Sequence, residues 1–156
     1  VVDGDLVLGL CAVDLKNKSG LPNNSVVATP MSNIGLETYL KEKGINMLRA
    51  PVGDRYVLSE MRNKGIALGG EKSGHLIFLD YSTTGDGILG ALRVLEVIKN
   101  TKKNMRHIAE RELQLPDAVI GKLLGLAAED KSILSLGPGE PDFETPKPLL
   151  NYLKIK

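Results

Sequence analysis

The tripeptide Lys43-Gly44-Ile45 recurs as Lys64-Gly65-Ile66, and each copy closes a helix-compatible stretch and opens an apolar run. Glycine stops a helix because it takes the left-handed conformation just past the last turn without steric cost. Short apolar runs rich in branched side chains read as buried strands. On this basis 25–29 is a strand, ended by Pro30 and Met31. A helix follows from about Asn33 to Lys43, with Ser32 as its N-cap and Leu36, Tyr39 and Leu40 on one face. Residues 45–52 form the next strand, and Gly53-Asp54 opens a helix through Tyr56, Val57, Leu58 and Met61. Alternating strands and helices predict an α/β fold: a mixed, mostly parallel sheet flanked by helices, with right-handed crossovers.

Two apolar runs, 66–68 and 76–79, flank the segment Gly69-Gly70-Glu71-Lys72-Ser73-Gly74-His75. Its glycines allow a sharp turn and close approach of a ligand to the backbone. Glu71 and Ser73 can hydrogen-bond vicinal hydroxyls, and His75 adds an imidazole, a set that suits a polyhydroxylated ligand. A tight turn whose polar groups satisfy their own backbone fits the same spacing. Arg55 follows the strand 45–52, at the end of an α/β sheet where ligands gather, and could face an anion or form a structural ion pair.

Around these elements the punctuation is simpler. Asp3 and Asp5 precede a helical pattern with Leu6, Leu10 and Val13 on one face and Val7 and Cys11 beside it; capping explains the carboxylates more economically than a metal loop. Thr84 and Asp86 cap a helix showing Ile88, Leu92 and Leu95, with Ala91 and Ile98 close by; the glycines there would also suit a phosphate. Cys11, the one cysteine, reads as a small core residue, and a reducing, cytoplasmic setting fits. Net charge is +1, so no global field favours nucleic acid or an anionic membrane, and no apolar run is long enough to span a bilayer. The basic run Lys99, Lys102, Lys103 and Arg106 has no interleaved aromatics and reads as a solvated connection. Residues 108–130 are helix-compatible, interrupted at Pro116, and the Gly- and Pro-rich end is irregular. The start at Val1, without Met, suggests an upstream portion.

Val52-Gly53-Asp54-Arg55-Tyr56-Val57, Gly70-Glu71-Lys72-Ser73-Gly74-His75 and Thr84-Gly85-Asp86-Gly87 occur in the same order in α-D-phosphohexomutases, and Asp3-Gly4-Asp5 and Met31-Ser32-Asn33 also fit. The first 105 residues therefore resemble the third, sugar-binding domain of that family, in its phosphoglucosamine mutase branch; Lys72 departs from the Gln usual there. The resemblance implies that Glu71 and Ser73, with Lys72 beside them, bind sugar hydroxyls of a hexosamine phosphate. It places His75 near the reacting hydroxyl and Arg55 at the active-site edge. The family reaction interconverts glucosamine 6-phosphate and glucosamine 1-phosphate in the synthesis of amino-sugar precursors, using a phosphoserine and Mg²⁺. The phosphoserine loop, the Asp-rich metal site and the phosphate-gripping fourth domain are not found in this sequence. Negligible turnover is expected from the chain alone, and the missing mutase domains are its implied partners.

The segment 106–156 is read as a separate appendage. Arg111-Glu112-Leu113-Gln114-Leu115-Pro116 and Leu136-Gly137-Pro138-Gly139-Glu140-Pro141-Asp142-Phe143 resemble the beginning of a fold-type I pyridoxal-phosphate aminotransferase. The cofactor lysine of that family would lie far downstream, so no pyridoxal phosphate is expected. Two other readings stand beside the mutase fragment: a non-catalytic phosphosugar or protein-binding module, and a chimera without selected function.

Overall fold

A computed structural model describes residues 2–102. Its elements run α1 (Gly4–Asn17), β1 (Ser25–Ala28), α2 (Ile34–Glu42), β2 (Asn46–Arg49), α3 (Asp54–Lys64), β3 (Leu68–Gly70), β4 (Leu76–Phe78) and α4 (Gly87–Thr101), with one 3₁₀ turn, Pro22–Asn24, before β1. The strands form one sheet in the order β2-β1-β3-β4. β1 is parallel to β2, pairing Ser25 with Asn46, and parallel to β3 through Val27 and Gly69. β3 and β4 are antiparallel, with Gly70 opposite Leu76. The mixed, mostly parallel α/β sheet expected from the sequence is thus present. The expected boundary after residue 105 and the helical, then irregular, appendage lie outside the described residues.

β1 is buried along its whole length because both of its faces are covered. Successive side chains of a strand point to opposite faces. Val26 and Ala28 join the cluster built by Leu8 and Ala12 of α1, Leu36 and Leu40 of α2, and Val97 of α4. Val27 enters the second cluster, with Val57 and Met61 of α3, Ile66 and Ile77. Helices α1, α2 and α4 therefore cover one face and α3 the other. Close packing of α3 on β3 depends on Gly69, where a Cβ would come 2.6 Å from Met61 Sδ and 2.9 Å from Val57 Cγ1.

Several local expectations shift. The strand over 45–52 shortens to Asn46–Arg49, and the strand over 66–68 moves to Leu68–Gly70. The latter takes two glycines out of the loop, because Gly69 and Gly70 find antiparallel partners in Ile77 and Leu76. Asn33, not Ser32, caps α2: its Oδ1 accepts from Gly35 N at 2.8 Å. Ser32 is buried in the preceding turn, where its carbonyl accepts from Arg49. On α1, Leu10 and Cys11 of the expected pattern are buried together with Asp5, Leu8 and Ala12, while Leu6, Val7 and Val13 are only half-buried. On α4, Ile88, Leu92 and Leu95 are 77%, 58% and 60% exposed, while Val97 is buried and Leu89 and Val94 pack on the core.

The acidic start of the chain resolves into two structural roles. Asp3 caps α1, its Oδ1 accepting from Leu6 N at 3.1 Å. Asp5 Oδ2 accepts from Asn33 N at 2.8 Å and so joins α1 to the start of α2. Burial pushes the Asp5 carboxyl above its ordinary value, against the lowering effect of that hydrogen bond. Cys11 is a core residue, and burial pushes its thiol up to about 12. Asp86 is the cap of α4, its Oδ1 accepting from Ile88 N at 2.9 Å and Leu89 N at 3.0 Å. No described helix is long and apolar enough to cross a membrane.

Candidate functional site

The β3–β4 hairpin ends in the loop 71–75, which closes on itself: Glu71 N donates to His75 O and Gly74 N to Glu71 O, both at 3.0 Å. Gly74 has φ +100, a conformation that side chains disfavour. The loop stands where β3 ends, beside the segment that leads from β2 into α3. There Gly53 N donates to Glu71 Oε1 at 2.9 Å. Glu71 thus spends one oxygen at the positive start of α3, which fixes its carboxylate in place. Its second oxygen lies 3.8 Å from His75 Nδ1, and Ser73 Oγ lies 3.2 Å from the same nitrogen. Ser73 Oγ is therefore within hydrogen-bond reach of Nδ1, with the Glu71 carboxylate just beyond it, and Nε2 is the ring nitrogen without a protein partner among the described residues. The Glu71 side chain is 13% exposed and that of His75 63%, so a ligand can reach the imidazole from solvent.

Asp54, the first residue of α3, completes the group. Its carboxylate, that of Glu71 and the His75 ring each place a donor atom within 4.8 Å of the other two. Gly85 packs against this cluster: a Cβ there would stand 3.2 Å from His75 Cβ and 3.4 Å from Asp54 Oδ2. The other sequence-derived site residues are placed differently. Lys72 Nζ turns toward Asp3 Oδ2, 3.6 Å away. Arg55 lies over the Tyr56 ring, 4.4 Å from its centre, and donates to the Tyr56 hydroxyl.

The start of α1 forms the floor of the loop. Gly4 N donates to Lys72 O at 2.9 Å. A Cβ on Gly4 would come within 2.1 Å of Glu71 O and 2.7 Å of Gly74 N. A cleft of about 650 Å³ opens here, with Asp3, Lys72 and Ser73 at its polar part and Val7, Val94 and Leu95 in its apolar wall. Neither Asp54 nor Gly4 stood out as a site residue in the sequence. A glycine in the first turn of a helix, a poor helix former at that position, was the available signal for Gly4.

This arrangement is a fixed carboxylate, a hydroxyl and an accessible imidazole on a rigid hairpin. Residues 3–115 match the model of the phosphoglucomutase/phosphomannomutase family, α/β/α domain III. The chain belongs to this family. Curated relatives include the phosphoglucosamine mutases of Thermoanaerobacter sp. (strain X514), 52% identical, and of Fusobacterium nucleatum subsp. nucleatum, 50% identical, each over 120 residues and 77% of this chain. The match takes up 27% and 26% of those proteins, so the chain spans about a quarter of their length. Among solved structures, a phosphoglucomutase/phosphomannomutase family protein from Burkholderia thailandensis aligns at TM-score 0.64 and 25% identity, over 83% of this chain and 29% of that one. An N-acetylglucosamine-phosphate mutase in its substrate complex shares the fold at TM-score 0.57 and 23% identity, over 69% of this chain and 28% of that one.

The phosphohexomutase match takes in 111–115, part of the stretch that resembles an aminotransferase start, and the comparisons lend that resemblance no support. The family's Mg²⁺ finds no fitting site among the described residues. Asp3 is engaged by Leu6 N and Lys72 Nζ, and Asp5 is fully buried with one oxygen on Asn33 N, away from the other carboxylates of the loop. The Asp54, Glu71 and His75 set mixes an imidazole with carboxylates, whereas Mg²⁺ takes oxygen ligands in a near-ideal octahedron.

Proposed function

We propose that this chain is the sugar-recognition portion of a cytoplasmic phosphoglucosamine mutase and works beside the domains that carry the phosphoserine, the metal and the phosphate grip. The observation that carries the reading is the convergence of Glu71, Ser73 and His75 on a hairpin anchored by Gly53 N and Gly4 N. In this reading the hydroxyls of a hexosamine phosphate donate to Glu71 Oε2 and exchange hydrogen bonds with Ser73 Oγ. His75 Nε2 takes or returns the proton of the reacting hydroxyl, while Nδ1 faces Ser73 Oγ. Lys72 and Arg55 lie at the rim, where a swing away from Asp3 and Tyr56 would bring a cation to the substrate phosphate. Phosphoryl transfer depends on in-line positioning and charge neutralisation, so a recognition loop without the donor serine gives affinity and negligible turnover.

The test is a titration of the ¹⁵N-labelled chain with glucosamine 6-phosphate, beside Glu71→Ala. Saturable shifts centred on 70–75 and lost in the variant support the reading. A well-dispersed spectrum that does not respond to the sugar phosphate overturns it for the chain alone. Robust mutase turnover by the pure chain would refute the dependence on further domains.

A further inference from the structure

Helix α4 is apolar on two sides. Leu89, Val94 and Val97 pack on the core. Ile88, Ala91, Leu92 and Leu95 are exposed at spacings of three and four residues, so they form a second stripe, which half-buried Ile98 extends. The stripe borders the cleft of about 650 Å³, lined by Ala91, Leu95 and Ile98 together with Val2 and Val7, and by Lys72 at its polar part. A helix that is apolar on both sides is packed on both sides. Lys102 ends α4 at φ +56, the left-handed conformation that turns a chain off the helix axis. The family match continues past that turn to residue 115, so the family's domain includes the stretch after α4. Within that stretch Met105, Ile108, Ala109 and Leu113 recur at helical spacing, with Glu112 among them.

We propose that the exposed stripe of α4 is the docking surface for the chain's own residues 105–115, which lie along it as an antiparallel helix and close the cleft. Helices joined by a link as short as Lys102-Lys103-Asn104 pack antiparallel. In helical form 105–115 spans about 15 Å, and the stretch of α4 from Gly87 to Ile98 about 16 Å, so the two match in length. Met105 then starts beside Ile98, and the end of the segment comes to the start of α4. That end of α4 is tied to the hairpin by Asp86 N donating to Leu76 O at 3.3 Å. Glu112 arrives there, where the Lys72 ammonium, 3.6 Å from Asp3 Oδ2, offers it an opposite charge. The short link holds the segment at an effective concentration on the order of millimolar, which favours it over a second copy or a free partner. The inference does not rest on the sugar reading, and each stands or fails separately.

The test records methyl NOEs on the full 156-residue chain, in a uniformly ¹³C-labelled sample and in a mixture of labelled and unlabelled chains. NOEs from Ile108 and Leu113 to Leu92 and Leu95 that arise within one chain support the proposal. Their absence overturns it, and so do NOEs to the stripe that arise only between chains, which would assign the surface to a second copy. Ile108→Asp should remove these NOEs and shift the Leu92 and Leu95 methyls, while the Leu8 and Leu36 methyls of the core stay in place; unmoved Leu92 and Leu95 methyls overturn it. Glu112→Gln should shift the Lys72 amide, and an unmoved amide there overturns the antiparallel direction. If Ile108→Asp fails to fold, the wild-type NOEs decide.

Discussion

Replacing Gly4 with alanine adds one methyl group where the structure has no room for it. The new Cβ would stand 2.1 Å from Glu71 O, 2.7 Å from Gly74 N and 2.8 Å from Lys72 O. All three are backbone atoms, so no side-chain rotation relieves the contact. The loop must retreat by roughly an ångström to reach ordinary van der Waals distance, and overpacking of this kind costs about 1–3 kcal/mol. The retreat also weakens the Gly4 N to Lys72 O hydrogen bond, worth about 1 kcal/mol. Against this, alanine is favoured over glycine in a helix by up to about 1 kcal/mol. The net expectation is a loss of about 1–3 kcal/mol, together with displaced amide resonances at 71–75 and at least tenfold weaker sugar-phosphate binding. Urea unfolding followed by circular dichroism gives the stability, and the amide spectrum locates the change. Unchanged stability with unmoved loop resonances would refute the idea that α1 props the loop.

Other positions test other parts of the account. The Asp5 carboxyl has a raised value in the folded chain, so the native state binds the proton more tightly than the unfolded one. Its contribution is fully present below the ordinary value of 3.8 and is lost as pH rises through the raised folded value. Asp5→Asn keeps an acceptor for Asn33 N without the charge, so it should flatten the decline in stability above about pH 4; an identical pH profile in both proteins would count against a buried, raised carboxyl. Asp86→Ala removes two hydrogen bonds to the first turn of α4 and should cost about 1 kcal/mol, read from thermal melts. Cys11 is buried with its thiol pushed up to about 12, so the native chain should resist a disulfide reagent at pH 8 and react on unfolding; rapid native labelling would contradict its place in the core. Gly69→Val places a branched side chain against Met61 and Val57 and should cost about 1–3 kcal/mol by separating α3 from β3.

Local chemistry made much of this chain legible. Gly65 stops α3 at φ +63, as its place after the helix pattern implied, and Asp3 and Asp86 cap the helices that they precede. Such features depend on a few adjacent residues, so they can be read in order along the chain. The apolar period of α4 was legible too, but not which side of the helix the core would take. Ile88, Leu92 and Leu95 carry the period, yet Leu89, Val94 and Val97 face the core, because α4 packs against α1 and the edge of the sheet.

The sequence by itself determined the alternation of strand and helix, the stops and caps, and the polar loop with Glu71, Ser73 and His75 in it. Tertiary structure alone decided which distant residues that loop would meet. It brought Gly53 N to Glu71, Asp54 to His75 and the Gly4 backbone under Lys72. The physical reason is that spacing fixes neighbours within one element, whereas contacts between elements are set by strand order and helix packing. Here β3 lies beside β1 with β2 beyond it, and that order puts the start of α3 and the hairpin loop at the same end of the sheet.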